Sequence, residues 1–143
     1  MDKIKVIYWS QTGNTAAMAQ AVAEGIKKEG KEAEVLDCSG VSVSELQGDK
    51  AFALGCPAMG AEELEEGEME PLVEEICGIC SSKTIGLFGS YGWGDGEWMR
   101  NWVDRMKAAG ATVVNDEGVI CQEYPDDEAI LNCESLGQQL ASV

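Results

Sequence analysis

The chain contains no histidine and few cations. Against 26 aspartates and glutamates stand 10 lysines and arginines, so its 143 residues carry a formal charge of −16. Without imidazole there is no histidine base, histidine-aligned nucleophile or histidine metal ligand. The scarcity of cations argues against nucleic acid and against anionic membrane surfaces, both of which recruit lysine and arginine. Basic proteins are the better-matched partners. Long apolar runs are missing too: nothing approaches the roughly eighteen residues of a membrane span. Met1-Asp2-Lys3 leads straight into a short strand-like run rather than a signal peptide. Together these absences point to a soluble cytoplasmic protein. Six cysteines (Cys38, Cys56, Cys77, Cys80, Cys121 and Cys133) are modest for the length and, with nothing marking export, read as mostly reduced thiols. What is present, 45% hydrophobic residues, is enough for a real core in one domain spanning residues 1–143.

Short apolar segments alternate with amphipathic ones. Ile4 to Trp9 is β-branched and aromatic and reads as a first strand. Ala16 to Glu29 sets Met18, Ala19, Val22, Ala23 and Ile26 on one helical face, and Gly30 stops that helix. Glu34 to Asp37 is a short second strand, Val43 to Gln47 a helical turn, and Ala51 to Gly55 a buried third strand that Pro57 cannot continue. Glu68 to Ile79 reads as a helix with Met69, Leu72, Val73 and Ile76 inward. Lys83 to Phe88 is a fourth strand, and Glu97 to Ala109 a helix carrying Trp98, Trp102 and Met106 at intervals of four. Thr112 to Val114, resuming near Val119-Ile120, gives the last strand, and Asp126 to Leu140 a closing helix. Five strands with helical crossovers imply a doubly wound, mostly parallel α/β sheet. In such sheets ligands sit at the carboxyl ends of the strands, near the topological switch point. The loops after strands one, three and four are therefore where function is expected.

Those three loops have unusual compositions. Ser10-Gln11-Thr12-Gly13-Asn14-Thr15 offers three hydroxyls, a side-chain amide, a glycine and the free N–H groups of a helix start, the neutral donor set of a phosphate site. It contains no lysine, which argues against a nucleotide-triphosphatase loop. Gly55 to Glu63 (Gly-Cys-Pro-Ala-Met-Gly-Ala-Glu-Glu) contains a turn at Met59 to Glu62 with Gly60 and Ala61 at its centre, able to hold its middle peptide in either orientation. Gly89 to Gly96 sets Tyr91 and Trp93 among glycines that give them no packing, so Trp93 is either exposed or rests on something that is not protein. A planar, electron-poor heterocycle suits it. Taken singly, the loops also fit ordinary N-capping, a surface turn and an aromatic loop for protein contact.

Taken together, Ser10 to Thr15, Gly55 to Glu63 and Gly89 to Trp98 resemble the short-chain flavodoxins, in particular the anaerobic bacterial ones with a Met-Gly turn and a Tyr-Gly-Trp-Gly loop. The resemblance covers the whole chain in element order. It implies a flavodoxin-like five-stranded parallel sheet of order 2-1-3-4-5, with helices on both faces, holding non-covalent FMN. By that resemblance Ser10, Thr12, Gly13, Asn14 and Thr15 hold the FMN phosphate, with Gln11 adding its backbone amide. Trp93 and Met59 cover the two ring faces, amides around Gly92 and Gly94 approach O2, Ser90 lies near the ribityl chain, and Glu62 accepts from N3–H. Pro57, Ala58 and Tyr91 complete the set. The Gly60-Ala61 peptide is the one expected to turn its carbonyl toward N5. Ala61 stands where family members often have a polar or acidic residue, and Pro57 where some have serine, both beside that turn.

The implied function is a monomeric, low-potential one-electron carrier rather than an enzyme, shuttling between semiquinone and hydroquinone. Its partners are redox proteins with basic docking surfaces, reductases and ferredoxin-dependent enzymes among them. A weak flavin reductase side activity is compatible with it. Stacking on the ring excludes water, and at roughly 10 Å one carboxylate opposes the anionic hydroquinone by about 0.8 kcal/mol, or about 35 mV. Eight glutamates between Glu62 and Glu75, with Asp126-Asp127-Glu128, form a solvated face or a docking patch for such partners. The alternative is an FMN-dependent NAD(P)H:quinone reductase on the same fold, for whose extra substrate loops the chain has little spare length. A phosphoacceptor receiver needs aspartates where Trp9-Ser10 and Gly55-Cys56 stand. Cys77-Gly78-Ile79-Cys80 has thioredoxin spacing but ends a helix instead of opening one. Cys56, Trp98 and Trp102 read as core, and Trp9 fits either the core or the underside of the cofactor loops.

Overall fold

The computed structural model describes residues 3–11, 13–60 and 62–143. In chain order they form β1 (Lys3–Tyr8), α1 (Asn14–Lys28), β2 (Glu32–Asp37), β3 (Ala51–Gly55), α2 (Met69–Cys77), β4 (Thr84–Tyr91), α3 (Glu97–Ala108), β5 (Thr112–Val113), β6 (Val119–Gln122) and α4 (Asp127–Ala141). The sheet runs β2-β1-β3-β4-β5, with β6 also paired to β4 and every pairing parallel. This is the expected 2-1-3-4-5 order. Its cause is visible in the sequence: each parallel neighbour needs a crossover, and an amphipathic helix supplies it.

The period-two alternation of the strands divides the interior into two layers. Ile7, Phe52, Leu54, Ile85 and Leu87 point to one face, where Met69, Leu72, Val73 and Ile76 of α2 and Trp98, Trp102 and Met106 of α3 cover them. Ile4, Val6, Ala53 and Phe88 point to the other, under Met18, Val22 and Ile26 of α1 and Leu136 and Leu140 of α4. The second layer is thin because α1 and α4 touch backbone to backbone. A Cβ on Gly25 would run into the Glu134 carbonyl, and one on Gly137 into the Val22 carbonyl.

Two elements differ from the sequence reading. β4 continues to Tyr91, three residues past Phe88, because β6 pairs with its far end through Gly89↔Ile120, Ser90↔Cys121 and Tyr91↔Gln122. Ser90 and Tyr91 therefore stand on a strand rather than in a loop. The last strand is cut in two: β5 and β6 flank a 3-10 turn at Val114–Asp116, where Asn115 and Asp116 have φ of 61° and 57°. Both halves hold the same edge of β4.

Candidate functional site

The carboxyl ends of β1, β3 and β4 are stitched together by backbone bonds: Trp9 N to Gly55 O (3.0 Å), Cys56 N to Phe88 O (3.1 Å) and Ala58 N to Ser90 O (3.0 Å). Gly89 makes this approach possible, since a Cβ there would collide with the Cys56 carbonyl. The indole of Trp98 donates to that same carbonyl at 3.1 Å, tying α3 to the second loop. Beside it the Tyr91 ring meets the Trp98 ring at 5.7 Å in a tilted arrangement.

In the first loop, Gly13 precedes α1 with φ of 94°, a left-handed conformation that favours glycine, and a Cβ there would meet open space. Ser10 Oγ accepts from Gly13 N at 3.1 Å and Ala16 N at 3.4 Å. The helix-start amides thus converge on one oxygen acceptor, as they would on a phosphate oxygen. Gln11 is exposed, Asn14 is half-buried as the first helical residue, and Thr15 is buried with its hydroxyl 3.2 Å from that of Ser90. Thr12 lies outside the described residues.

The second loop folds back on itself. Met59 and Glu63 exchange two backbone bonds of 2.8 and 2.9 Å, so the turn closes one residue beyond the expected Glu62, with Gly60 at φ 49° and Glu62 at φ 57°. Pro57, Ala58 and Met59 are half-buried and Gly60 is exposed; Ala61 lies outside the described residues. The Glu62 carboxylate reaches across to the third loop and accepts from Asp95 N (3.1 Å) and Gly96 N (3.4 Å). A carboxylate has lone-pair sites for further donors. Gly94 has φ 89°, a left-handed conformation that favours glycine, and a side chain there would displace the Glu62 carboxylate.

The third loop is held from the other side by Arg100, which donates to the Asp95 carbonyl at 3.0 Å and to its carboxylate at 3.1 Å. Gly92 and Gly94 are exposed, and Trp93 between them is 66% exposed, although the other three tryptophans are buried or half-buried. Two residues absent from the sequence reading border this loop, Gln122, whose side-chain amide donates to Gly92 O at 3.2 Å, and Glu123, whose backbone amide donates to Tyr91 O at 2.8 Å; exposed Tyr124 follows them in the chain. Their signal was an aromatic flanked by Glu123 and Pro125 directly after a strand. Trp9 is half-buried and packs on the core.

Below the site the second loop is anchored to α2. Glu65 accepts the amides of Gly67 (2.6 Å), Glu68 (2.7 Å) and Met69 (2.9 Å). Burial opposes its charge, but these three amides hold its carboxyl below the usual range. Burial pushes the Cys56 thiol up to about 12, and it pushes Cys38 up to about 12 with help from the carboxylates of Asp37, Glu68 and Glu65. All six cysteines are free. Cys77 closes α2 and Cys80 lies beyond it, as the spacing argument anticipated.

The donor set fits FMN in kind. The hydroxyls and helix-start amides are donors of the kind a phosphate takes, and the exposed indole on a glycine loop is of the kind that stacks on a planar ring. These features suit a nucleotide cleft at the strand ends of a doubly wound α/β protein. The family model described as Flavodoxin matches residues 6–135. A flavodoxin of Clostridium beijerinckii is 46% identical over 98% of this chain and 100% of its own. A flavodoxin of Megasphaera elsdenii is 40% identical over 96% of this chain and 98% of its own. The solution structure of two-electron reduced Megasphaera elsdenii flavodoxin superimposes with a TM-score of 0.87 at 39% identity, covering 98% of this chain and 99% of that one. The chain belongs to the flavodoxin family. It is accordingly an FMN-binding electron carrier, an electron-transfer protein rather than an enzyme. No helix among the described residues is long and apolar enough to cross a membrane.

Proposed function

We propose that residues 1–143 form a single domain that works in the cytoplasm as a monomeric, low-potential one-electron carrier. Its partners are redox proteins with basic docking surfaces. The observation that carries this reading is the meeting of the three loops at the strand ends, with Trp93 held out on a glycine loop. FMN, when bound, would supply the one-electron chemistry.

The protein's part is positioning and polarity. Ser10, Thr12, Gly13, Asn14 and Thr15, with the Gln11 amide, hold the phosphate by neutral donors and the α1 dipole, so the site needs no cation. Trp93 and Met59 close on the two ring faces and exclude water, which disfavours charge there. Pro57 and Ala58 set the base of the second loop, while Ser90 and Tyr91 line the end of β4. Gly92 and Gly94 bring amides to the ring edge. Glu62 is the acceptor for N3–H, and its grip on Asp95 N and Gly96 N already places it between the two loops. The Gly60 carbonyl would accept a hydrogen bond from a protonated flavin N5.

Spectroscopic titration of the FMN-loaded protein tests this reading. Two well-separated one-electron steps, the second at low potential, are expected. Overlapping steps that deliver electrons in pairs would overturn it. FMN added to cofactor-free protein should lose its fluorescence; FMN that stays bright would remove the site itself.

A further inference from the structure

One group of ligand atoms stands apart from the flavin cleft. Asp37 ends β2, Cys38 follows it in a 3-10 turn, and Glu68 occupies the residue before α2. The Cys38 sulfur and one carboxylate oxygen from each acid lie within 4.8 Å of one another. We propose that Asp37, Cys38 and Glu68 bind one thiophilic divalent cation, of the zinc or cadmium kind, joining the end of β2 to the start of α2.

Each donor is free for the task. Cys38 is 3% exposed, and its sulfur bonds to no other residue among the described ones, yet it faces the two carboxylates. Asp37 uses Oδ1 for the Ser39 amide (3.0 Å) and hydroxyl (2.8 Å), which leaves Oδ2 to turn toward an ion. Glu68 sits at the helix cap, but its side chain makes no capping bond, because Glu65 takes the first amides of α2. Among the described residues neither Asp37 nor Glu68 takes part in an ion pair, and a divalent ion is the species that answers both charge and donor type. One sulfur with two carboxylate oxygens suits a borderline ion that accepts mixed ligands, with water completing the tetrahedron. With no separation above 4.8 Å, the centre lies at most about 2.8 Å from each atom, so the two exposed carboxylates need swing in by no more than about half an ångström to reach bond lengths of about 2.0–2.3 Å. The Cys38 proton leaves to solvent as the sulfur–metal bond forms.

The test uses the full-length, FMN-loaded protein, stripped of metal with a chelator and titrated with cadmium-113 while its NMR spectrum is followed. One resonance is expected, at a position set by a mixed sulfur and oxygen shell, saturating at one ion per chain. Cys38→Ser should abolish it, and Glu68→Gln, an exposed position whose change leaves the fold intact, should weaken binding about tenfold or more. The double variant Cys77→Ser/Cys80→Ser should leave it unaltered. The proposal is overturned by absence of a bound resonance, by one that survives Cys38→Ser or ignores Glu68→Gln, or by one that disappears with Cys77 and Cys80.

Discussion

At the scale of single residues, tryptophan takes three different jobs in this chain, and each has its own signature. Trp93 is 66% exposed, so little of it is buried in the protein. Trp93→Ala should therefore leave unfolding by urea nearly unchanged while FMN affinity falls by about tenfold, the stacking contribution of one aromatic face at about 0.5–1.5 kcal/mol. Quenching of FMN fluorescence measures that loss. Trp98 and Trp102 are one helical turn apart on α3 and equally buried, at 2% and 1% exposure. The Trp98 indole donates to Cys56 O and its ring meets that of Tyr91, whereas the Trp102 Nε1 has no hydrogen-bond partner among the described residues. Replacing each by phenylalanine removes a similar ring area and keeps an aromatic face for Tyr91, so the main difference between the two variants is the hydrogen bond. Trp98→Phe should be the more destabilising of the two by about 1–3 kcal/mol in urea unfolding, because it strands an acceptor while Trp102→Phe relieves an unsatisfied donor.

At the scale of elements, α2 owes its start to a side chain four residues before its first residue. Its helix-cap residue, Glu68, makes no capping bond, and Glu65 instead gathers the amides of Gly67, Glu68 and Met69. These bonds favour the charged carboxylate and lower its folded pKa below the unfolded value. Stability from Glu65 is thus fully present above the unfolded value of about 4.3 and is lost as pH falls through the lower folded value. Urea titrations at pH 7 and at pH 3 should show Glu65→Ala destabilised by about 0.5–2 kcal/mol at the higher pH, with the gap to the unsubstituted chain closing at the lower. Periodicity made such elements legible: β3 falls at Ala51–Gly55 as read, and the apolar faces of α1, α2 and α3 are the buried ones. Boundaries set by partners were not legible. Nothing within Gly89-Ser90-Tyr91 declares a strand; β6 makes it one, and β6 is itself separated from β5 by the left-handed pair Asn115 and Asp116. The turn at Met59 likewise closes at Glu63 because of a backbone exchange no composition encodes. The three loops stood out because their residues, an alternating glycine run and a cluster of hydroxyls, are poor packers and so are free to serve a ligand.

At the scale of the whole molecule, the charge of −16 is unevenly placed. Lys3, Lys5, Lys31 and Lys50 gather around a cavity of about 450 Å³ at the amino ends of the strands, with Lys5 paired to Asp49 at 2.7 Å. The glutamate run from Glu62 to Glu75 begins at the opposite ends, beside the candidate cleft. Acidic side chains, Glu62 among them, thus border the loop that carries the exposed Trp93. A field from such acids accelerates encounter with a cationic surface and turns the cleft toward it before contact. Screening must weaken this: the Debye length shrinks from about 30 Å at 0.01 M salt to about 10 Å at 0.1 M, shorter than the span over which orientation is set. Electron transfer to a basic redox protein, followed by stopped flow, should consequently slow by about tenfold or more over that range, since steering supplies factors of about 10–1,000 in association rate. Transfer to an uncharged small acceptor should hold steady, because that acceptor feels no field. Charge reversal separates local docking from overall charge: Glu63→Lys beside the cleft should flatten the salt dependence more than Glu32→Lys at the start of β2, although both change the net charge equally. Equal slopes for the two variants would mean that total charge alone governs encounter and that the acids beside the cleft have no docking role.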